Sequence, residues 1–357
     1  SLISAELRGA FVAANASDYA DIRERHRNRG DGKRLVPLEK ARAQRFDGGW
    51  GDYTPPAPRQ PGLHVFEDWP LDDLVDLIDW TPFFQAWELA GRYPAILDDE
   101  VVGPQARELY RDARTMLARI VKERWLTAKA VFALWPAQSK GEDVLIDVDG
   151  RAETLHFLRQ QADKPVERPD FCLADFIAPH GSGRQDWIGA FAVTAGIGIE
   201  EHVARFEADH DDYNAILLKA LADRLAETLA ERLHQRVRTE FWGYAPAESL
   251  DSEALIDERY RGIRPAPGYP ACPEHSEKGT LFRLLEAEQR IGLRLTESFA
   301  MYPAAAVSGY YFSHPGSQYF VVGRVSKEQA EDYAHRKGVS LAQAERWLAS
   351  NLDYDPE

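Results

Sequence analysis

The segment RPAPGYPACP, residues 264–273, carries the residue types best suited to hold a charged ligand. Its four prolines and one glycine fix an extended backbone with few internal hydrogen bonds. Such a rigid strip loses little entropy when it orders around a ligand. Arg264 can grip a carboxylate with two parallel hydrogen bonds, and Tyr269 follows five residues later. The pattern indicates either a carboxylate-binding strip or a stiff surface connection with an arginine ion pair.

The run Gly196-Ile197-Gly198 is a second candidate, because it follows an apolar stretch over 187–193 and precedes a helical pattern. A phosphate or S-adenosylmethionine loop would lie at such a position. A nucleotide-binding fold then needs a ribose-binding acid at the end of a second strand, about twenty residues later. The sequence over 204–239 is still helical there. The pattern therefore favours a strand that turns into a helix.

Two cysteine and histidine groupings could suggest a nucleophile or a metal site. Cys272 and His275 lie three residues apart, but zinc needs three or four ligands, and Cys172 with His180 forms no matching pattern. We interpret the cysteines as buried structural residues. The run His210-Asp211-Asp212 is more typical of a helix N-terminus, where acids suit the helix dipole, than of a metal cluster.

Composition narrows the class of protein. The 357 residues carry a net charge of −15, which argues against a general nucleic-acid binder. No apolar run of 18 or more residues could span a membrane, and the first ten residues do not form a signal peptide. Two cysteines are too few for a disulfide framework, so we expect a cytoplasmic protein.

Hydrophobic patterns mix helices and strands without strict alternation, which predicts an α+β fold. Leucines recur every four residues from Leu217 to Leu233 and predict a long helix beginning near Asp211. A further helix is predicted over 106–125, and strands are predicted over 130–136, over 143–150, within 296–314 and over 318–325. Two C-terminal helices follow, capped by Ser326 and Ser340, and the first of them ends at Gly338.

The first 62 residues differ from the body. A helical pattern with Leu7, Phe11 and Val12 on one side becomes a basic run over 23–34, and Gly and Pro are dense over 48–62. We expect a helical tail and a solvated linker from about Arg25 to Pro61, with RNA binding by the basic run as the alternative. The missing initial Met suggests a piece of a longer protein.

Several separated motifs together resemble the C-terminal reactivation domain of cobalamin-dependent methionine synthase. They occur in the same order over about Phe66 to Asp355: IDWTPFFQAW, ADFIAP with WIGAFAVTAG, HDDYNAILLKALADRLAE, RYRGIRPAPGYPACPEHSEK, LTESFAM and SGYYFSHPGSQYF. The stretches SAELRGAFVA and LEKARAQRF are similar to the tail of that enzyme's cobalamin domain and the linker after it. The resemblance implies that residues 1–62 form that tail and linker and that residues 63–357 form the activation domain. It also implies that this domain is a C-shaped single α+β domain around a twisted antiparallel sheet with flanking helices.

The resemblance also implies a function. The domain would bind S-adenosylmethionine and present its methyl group for reductive methylation of cob(II)alamin, which restores methionine synthase to activity. Cobalamin would be held by a separate domain, an electron would come from flavodoxin or a flavoprotein reductase, and zinc would belong to absent domains. The chain alone would not methylate homocysteine. The alternative is an independent S-adenosylmethionine-dependent methyltransferase that acts without cobalamin.

The family's ligand positions fall on residues whose chemistry suits S-adenosylmethionine. Asp79 would accept from the ammonium, Arg264 would hold the carboxylate, and Ala266 would offer backbone groups to adenine. Tyr319 would lie near the cationic sulfur, and Phe320 beside it is a further ligand position of the family. Two further candidates are Glu227, predicted to face inward because it shares a helical column with Ala220 and Ile216, and Tyr269. None of these is a catalytic acid or base, since the domain would contribute proximity and orientation.

Overall fold

Two long strands form the centre of the protein and are buried on both faces. The computed structural model describes residues 8–9, 11–19, 35–165 and 167–356. Its strands are β1 (Gly62–Trp69), β2 (Thr127–Lys140), β3 (Asp143–Val148), β4 (Arg151–His156), β5 (Asp186–Ile197), β6 (Arg294–Leu295), β7 (Met301–Tyr302) and β8 (Ala306–Tyr311). Six of them form one antiparallel sheet in the order β4-β3-β2-β5-β8, with β1 also paired to β2, while β6 and β7 form a separate hairpin.

The sheet separates two apolar clusters because side chains alternate between its faces. Along β2, Phe132 and Leu134 join one cluster, whereas Val131 and Trp135 join the other. The continuous apolar sequence over 130–136 is therefore explained by burial on both faces. The predicted strands over 130–136 and 143–150 are confirmed as β2 and β3, except that Asp149 and Gly150 form the turn after β3.

Helices cover both faces of the sheet. After residue 35 the α-helices are α1 (Leu38–Ala43), α2 (Asp72–Val75), α3 (Thr81–Ala86), α4 (Gly103–Glu123), α5 (Ile199–Ala208), α6 (Asp212–Arg236), α7 (Ser252–Ile256), α8 (Glu277–Leu285), α9 (Ala287–Ile291), α10 (Lys327–Lys337) and α11 (Leu341–Leu348). Shorter turns are the 3₁₀ helices Ala95–Asp98 and Leu173–Phe176 and the π-helix Val237–Phe241. Helix α6 packs on β5 and β8, and α8 packs on the opposite cluster.

The predicted helices agree with the structure. Helix α4 corresponds to the pattern over 106–125, and α6 to the leucine repeat. Ser326 and Ser340 accept hydrogen bonds from the amides of Gln329 and Gln343, and Gly338 ends α10 in the left-handed conformation. The predicted α+β class is confirmed.

The strand predicted over 318–325 is wrong. This segment is extended but joins no ladder of the described chain, because its backbone bonds to loops: the Val322 amide donates to Pro270 O and the Val325 amide to Asn351 O. Val322 and Val325 pack against α10 and α11 rather than into the sheet. Their apolar character reflects this third, smaller cluster.

The N-terminal segment is folded onto the body from residue 35 onward. Leu38 and Ala41 of α1 are buried, and residues 46–61, here called the strap, run along the protein without regular structure. Within the strap, Trp50 O accepts from Arg184 at 3.1 Å. Residues 11–19 are helical with Phe11 and Val12 exposed, whereas Leu7 and the basic run over 23–34 lie outside the described residues. The division at residue 62 stays a prediction.

No helix of the described ranges is long and apolar enough to cross a membrane.

Candidate functional site

The proline-rich strip is fixed against the edge of the sheet. Ile263 and Phe312 exchange two backbone hydrogen bonds of 3.1 and 3.0 Å, and the Tyr310 amide donates to Pro265 O at 2.9 Å. A Cβ at Gly309 would lie only 2.5 Å from Pro265 O, so glycine permits this close approach. The strip is therefore an added, irregular edge beside β8, and the backbone of Arg264 has a defined position.

Beyond Pro265 the strip folds into a tight turn. The Tyr269 amide donates to Ala266 O at 3.1 Å, and the Gly268 amide donates to Cys272 O at 2.7 Å. Gly268 has φ +96°, and a Cβ there would collide with the His275 ring. The amide of Ala266 donates no hydrogen bond within the described ranges, so it is available to a ligand. Tyr269 projects from this turn with 60% of its surface exposed.

Arg264 is mostly buried, with 19% of its side chain exposed, and it is held by an acid. Its Nη1 lies 2.6 Å from Glu231 Oε2 and also donates to the Tyr260 hydroxyl. Burial alone would lower the pKa of Arg264, but Glu231 and the neighbouring tyrosines raise it above the usual range. An arginine keeps its proton in proteins, and these neighbours strengthen the preference of Arg264 for the charged form.

Tyr319 and Phe320 approach the strip from the segment after β8. The Arg264 amide donates to the Tyr319 hydroxyl at 3.1 Å, and 41% of Tyr319 is exposed. Phe320 instead stacks on Phe171, with 5.7 Å between the ring centroids, and packs on the second apolar cluster. The Tyr319 ring thus faces the site, while the Phe320 ring supports the segment behind it.

Glu227 lies on α6 one turn before Glu231, at the edge of the same site. It is half-buried, and burial raises its pKa while the charges of Arg224 and Arg264 lower it. The predicted inward-facing column of Ile216, Ala220 and Glu227 is wrong at Ile216, because 53% of that residue is exposed. Glu227 also acts on the Tyr269 hydroxyl and contributes to the raised pKa of that tyrosine, after burial.

Asp79 occupies a different element. Its Oδ1 accepts from the Thr81 amide at 2.9 Å, at the first turn of α3. No hydrogen bond or ion pair of the described chain joins Asp79 to the other predicted site residues, but α3 packs on α6, which carries Glu227 and Glu231. The structure therefore groups Arg264, Ala266, Tyr269, Tyr319 and Glu227 directly, and Asp79 only through a shared helix.

Glu231 and Tyr260 contact Arg264 but were not among the predicted site residues. Glu231 follows Glu227 by four residues and so lies on the same face of α6. Tyr260 precedes Arg264 by four residues, on a segment without regular structure. The spacing of Glu231 was a usable signal, whereas nothing in the sequence shows that Tyr260 turns back towards Arg264.

The glycines at 196 and 198 serve close packing. A Cβ at Gly196 would lie 2.8 Å from Pro303 Cβ, and one at Gly198 would lie 2.9 Å from Trp125 O. Strand β5 ends at Ile197 and α5 begins at Ile199 within an antiparallel sheet. This geometry confirms a strand that turns into a helix.

The cysteines and the acidic run have structural surroundings. Cys172 and Cys272 are buried free thiols, and burial raises the pKa of each above its usual value. Within the described ranges no three His, Cys, Asp or Glu side chains are grouped to hold a metal ion. Asp211 accepts from the Asn214 amide at 3.0 Å and caps α6, as the acidic run predicted.

Comparisons with known proteins show the family of this chain. Residues 70–338 match the family model described as the vitamin B12 dependent methionine synthase activation domain. A crystal structure of the MetH reactivation domain bound to AdoHcy is similar at 52% sequence identity and a TM-score of 0.87, covering 90% of this chain and 99% of that chain. The chain therefore belongs to the family of vitamin B12 dependent methionine synthase activation domains.

Proposed function

We propose that this chain binds S-adenosylmethionine and presents its methyl group for reductive methylation of cob(II)alamin held by a separate domain. The observation that carries the proposal is the charged, nearly buried Arg264 at the head of a rigid strip. The similar structure bound to AdoHcy supports a ligand of this class, because AdoHcy is what S-adenosylmethionine becomes when it loses its methyl group.

The grouped residues match the chemical groups of that ligand. Arg264 would hold the α-carboxylate, and the Ala266 backbone would bind adenine. The tyrosine rings of Tyr269 and Tyr319 offer a surface for the cationic sulfonium. The α-ammonium would be bound by Asp79, with Glu227 a further acid at the edge of the site, and the backbone of Phe320 would border the ligand beside Tyr319.

In the proposed mechanism this chain acts by orientation rather than by acid–base chemistry. A ligand held at its carboxylate and adenine ends has its sulfonium fixed between them, so the methyl carbon points in one direction. The reduced corrinoid of the neighbouring domain would supply the nucleophile to which the methyl carbon bonds. The C–S bond would break with its electron pair staying on sulfur, and the neutral thioether product would lose the attraction of the tyrosine rings for a cation.

The proposed partners follow from this division of labour. The chain would dock on the cobalamin domain, and flavodoxin or a flavoprotein reductase would supply the single electron. Homocysteine and zinc would be bound by other domains of methionine synthase, so the chain alone would be inactive towards homocysteine. We place this work in the cytoplasm, in keeping with the two unpaired cysteines.

Calorimetry with S-adenosylmethionine tests the binding step. We expect Arg264→Ala to weaken binding more than tenfold, because a charge-assisted pair contributes ~1.5 to 3 kcal/mol. The exposed Arg283, which pairs with Glu153 at 2.8 Å, provides a control, and Arg283→Ala should leave binding unchanged. An unchanged dissociation constant in a folded Arg264→Ala variant would contradict this assignment.

A further inference from the structure

Among the described residues, the contacts that hold the guanidinium of Arg264 are made at one nitrogen, Nη1. Its Nη1 contacts both Glu231 and Tyr260, whereas Nε and Nη2 donate no hydrogen bond within the part of the chain that the structure describes. Nε and Nη2 form the edge that pairs with both oxygens of a carboxylate. The internal contacts therefore leave a two-pronged edge of this arginine available.

Glu231 and Tyr260, which contact Nη1, both lie against a second arginine, Arg238. Arg238 is fully buried; its guanidinium lies 3.8 Å from the Tyr260 ring centroid, and its Nη1 lies 3.7 Å from Glu231 Oε1. Glu248 pairs with Arg238 at 2.7 Å. Charges thus alternate from Glu248 through Arg238 and Glu231 to Arg264, and a ligand carboxylate would continue the series.

We propose that Glu231 and Tyr260 are positioning residues for ligand binding, holding Nη1 of Arg264 so that its Nε–Nη2 edge faces the ligand carboxylate. The inference rests on the proposed S-adenosylmethionine site and adds Glu231 and Tyr260 to it as residues that orient Arg264. Neither residue touches the ligand. Each acts through the orientation of Arg264.

A second acid, Glu258, also acts on Arg264 through its charge. A guanidinium released from Nη1 could turn towards Glu258, and the ligand would have to recover it and restrict its rotamers. Glu231 does not determine whether Arg264 is charged, since an arginine keeps its proton in proteins. Its removal therefore changes the direction of the guanidinium, and binding should weaken.

A pair of ligands that differ by one carboxylate tests the inference. Calorimetry on the 357-residue chain would compare S-adenosylmethionine with decarboxylated S-adenosylmethionine, which keeps the adenosine, sulfonium and ammonium groups. Tyr260→Phe retains every charge and the ring beneath Arg238, and Glu231→Gln retains the shape of the acid. We expect each variant to lose at least fivefold in affinity for S-adenosylmethionine and less than twofold for the decarboxylated ligand.

The matched control is Glu207→Gln, which removes an exposed acid paired with Lys219 at 3.3 Å and should change neither affinity. Equal losses for both ligands, or tighter S-adenosylmethionine binding by Glu231→Gln, would overturn the positioning role. Equal affinity of the unaltered chain for the two ligands would overturn it while leaving the proposed function intact. If the unaltered chain binds neither ligand, the proposed function fails and the inference with it.

Discussion

At the scale of single residues, the site combines groups that sequence alone can and cannot identify. The proline strip singles out Arg264 from its own chemistry, because a guanidinium beside a stiff backbone suits a carboxylate. Asp79 is different, since only the family resemblance selects it from the other acids of the chain. Neither residue chemistry nor the family resemblance identifies Tyr260, because its contact with Arg264 depends on a loop conformation that sequence periodicity does not predict.

Asp79→Asn separates a ligand-binding acid from a structural one. An amide oxygen can still accept from the Thr81 amide, so the first turn of α3 should persist. The lost charge should weaken S-adenosylmethionine binding at least about fivefold, the equivalent of ~1 kcal/mol. The ligand-free melting temperature should change by less than about 2 °C. A large drop in that temperature would instead assign Asp79 to the fold.

At the scale of elements, local chemistry predicts the helices well and the long-range contacts poorly. Caps such as Ser326 and Ser340 act within three residues, so the sequence contains the whole interaction. The segment 318–325 has the composition of a strand, but its partners are α10, α11 and a loop far along the chain. For the same reason the sequence predicts a solvated linker where the structure has the strap, because Arg184, which contacts the strap, lies more than 120 residues away.

His314 forms a hydrogen bond with the strap that depends on the protonation state of its ring. Its Nδ1 accepts from the Gly316 amide and its Nε2 donates to Gly48 O, both at 3.0 Å, which requires a neutral ring. The rings of Trp50 and Tyr53 pack against it. Burial lowers the pKa of His314, the carbonyl of Gly48 partly opposes that shift, and the charge of Arg261 adds to it.

We expect this hydrogen bond to weaken at acid pH. Because the folded-state pKa lies below the unfolded value of about 6.5, the unfolded chain binds more protons and stability falls as pH drops through that value. His314→Asn should lower the melting temperature at pH 7.5, and its gap from the unaltered protein should narrow at pH 5.5. Other buried histidines titrate equally in both proteins, so they cancel. A gap of constant size would exclude this role of His314.

At the scale of the molecule, a buried ion-pair network joins α1 and α10 to the turn between β2 and β3. Arg159, with 1% of its side chain exposed, donates two parallel bonds of 2.8 Å to Asp175 and one of 2.8 Å to Glu142. Arg42 of α1 connects Glu142 to Asp332 of α10 at 2.7 and 2.9 Å. The pKa of Glu142 falls to about 2 because the two arginines outweigh its burial.

Arg159→Ala should destabilise the fold by about 3 to 5 kcal/mol, because it leaves Asp175 buried without its partner and Glu142 with Arg42 alone. Urea unfolding gives the free-energy difference. The control is Arg283→Ala, which breaks the exposed pair with Glu153 and should cost at most ~1 kcal/mol. Similar values for the two variants would show that the network contributes little to stability.

The proposed function depends on one step, in which the methyl group of S-adenosylmethionine passes to a corrinoid on another domain. The most direct measurement supplies this chain with methyl-labelled S-adenosylmethionine and a one-electron reductant, with and without a separately prepared cobalamin domain, and locates the label. We predict label on the corrinoid, matched by an equal amount of S-adenosylhomocysteine, only when the cobalamin domain is present. Label transferred to homocysteine by this chain alone, without any corrinoid, would overturn the proposed function and favour an independent methyltransferase.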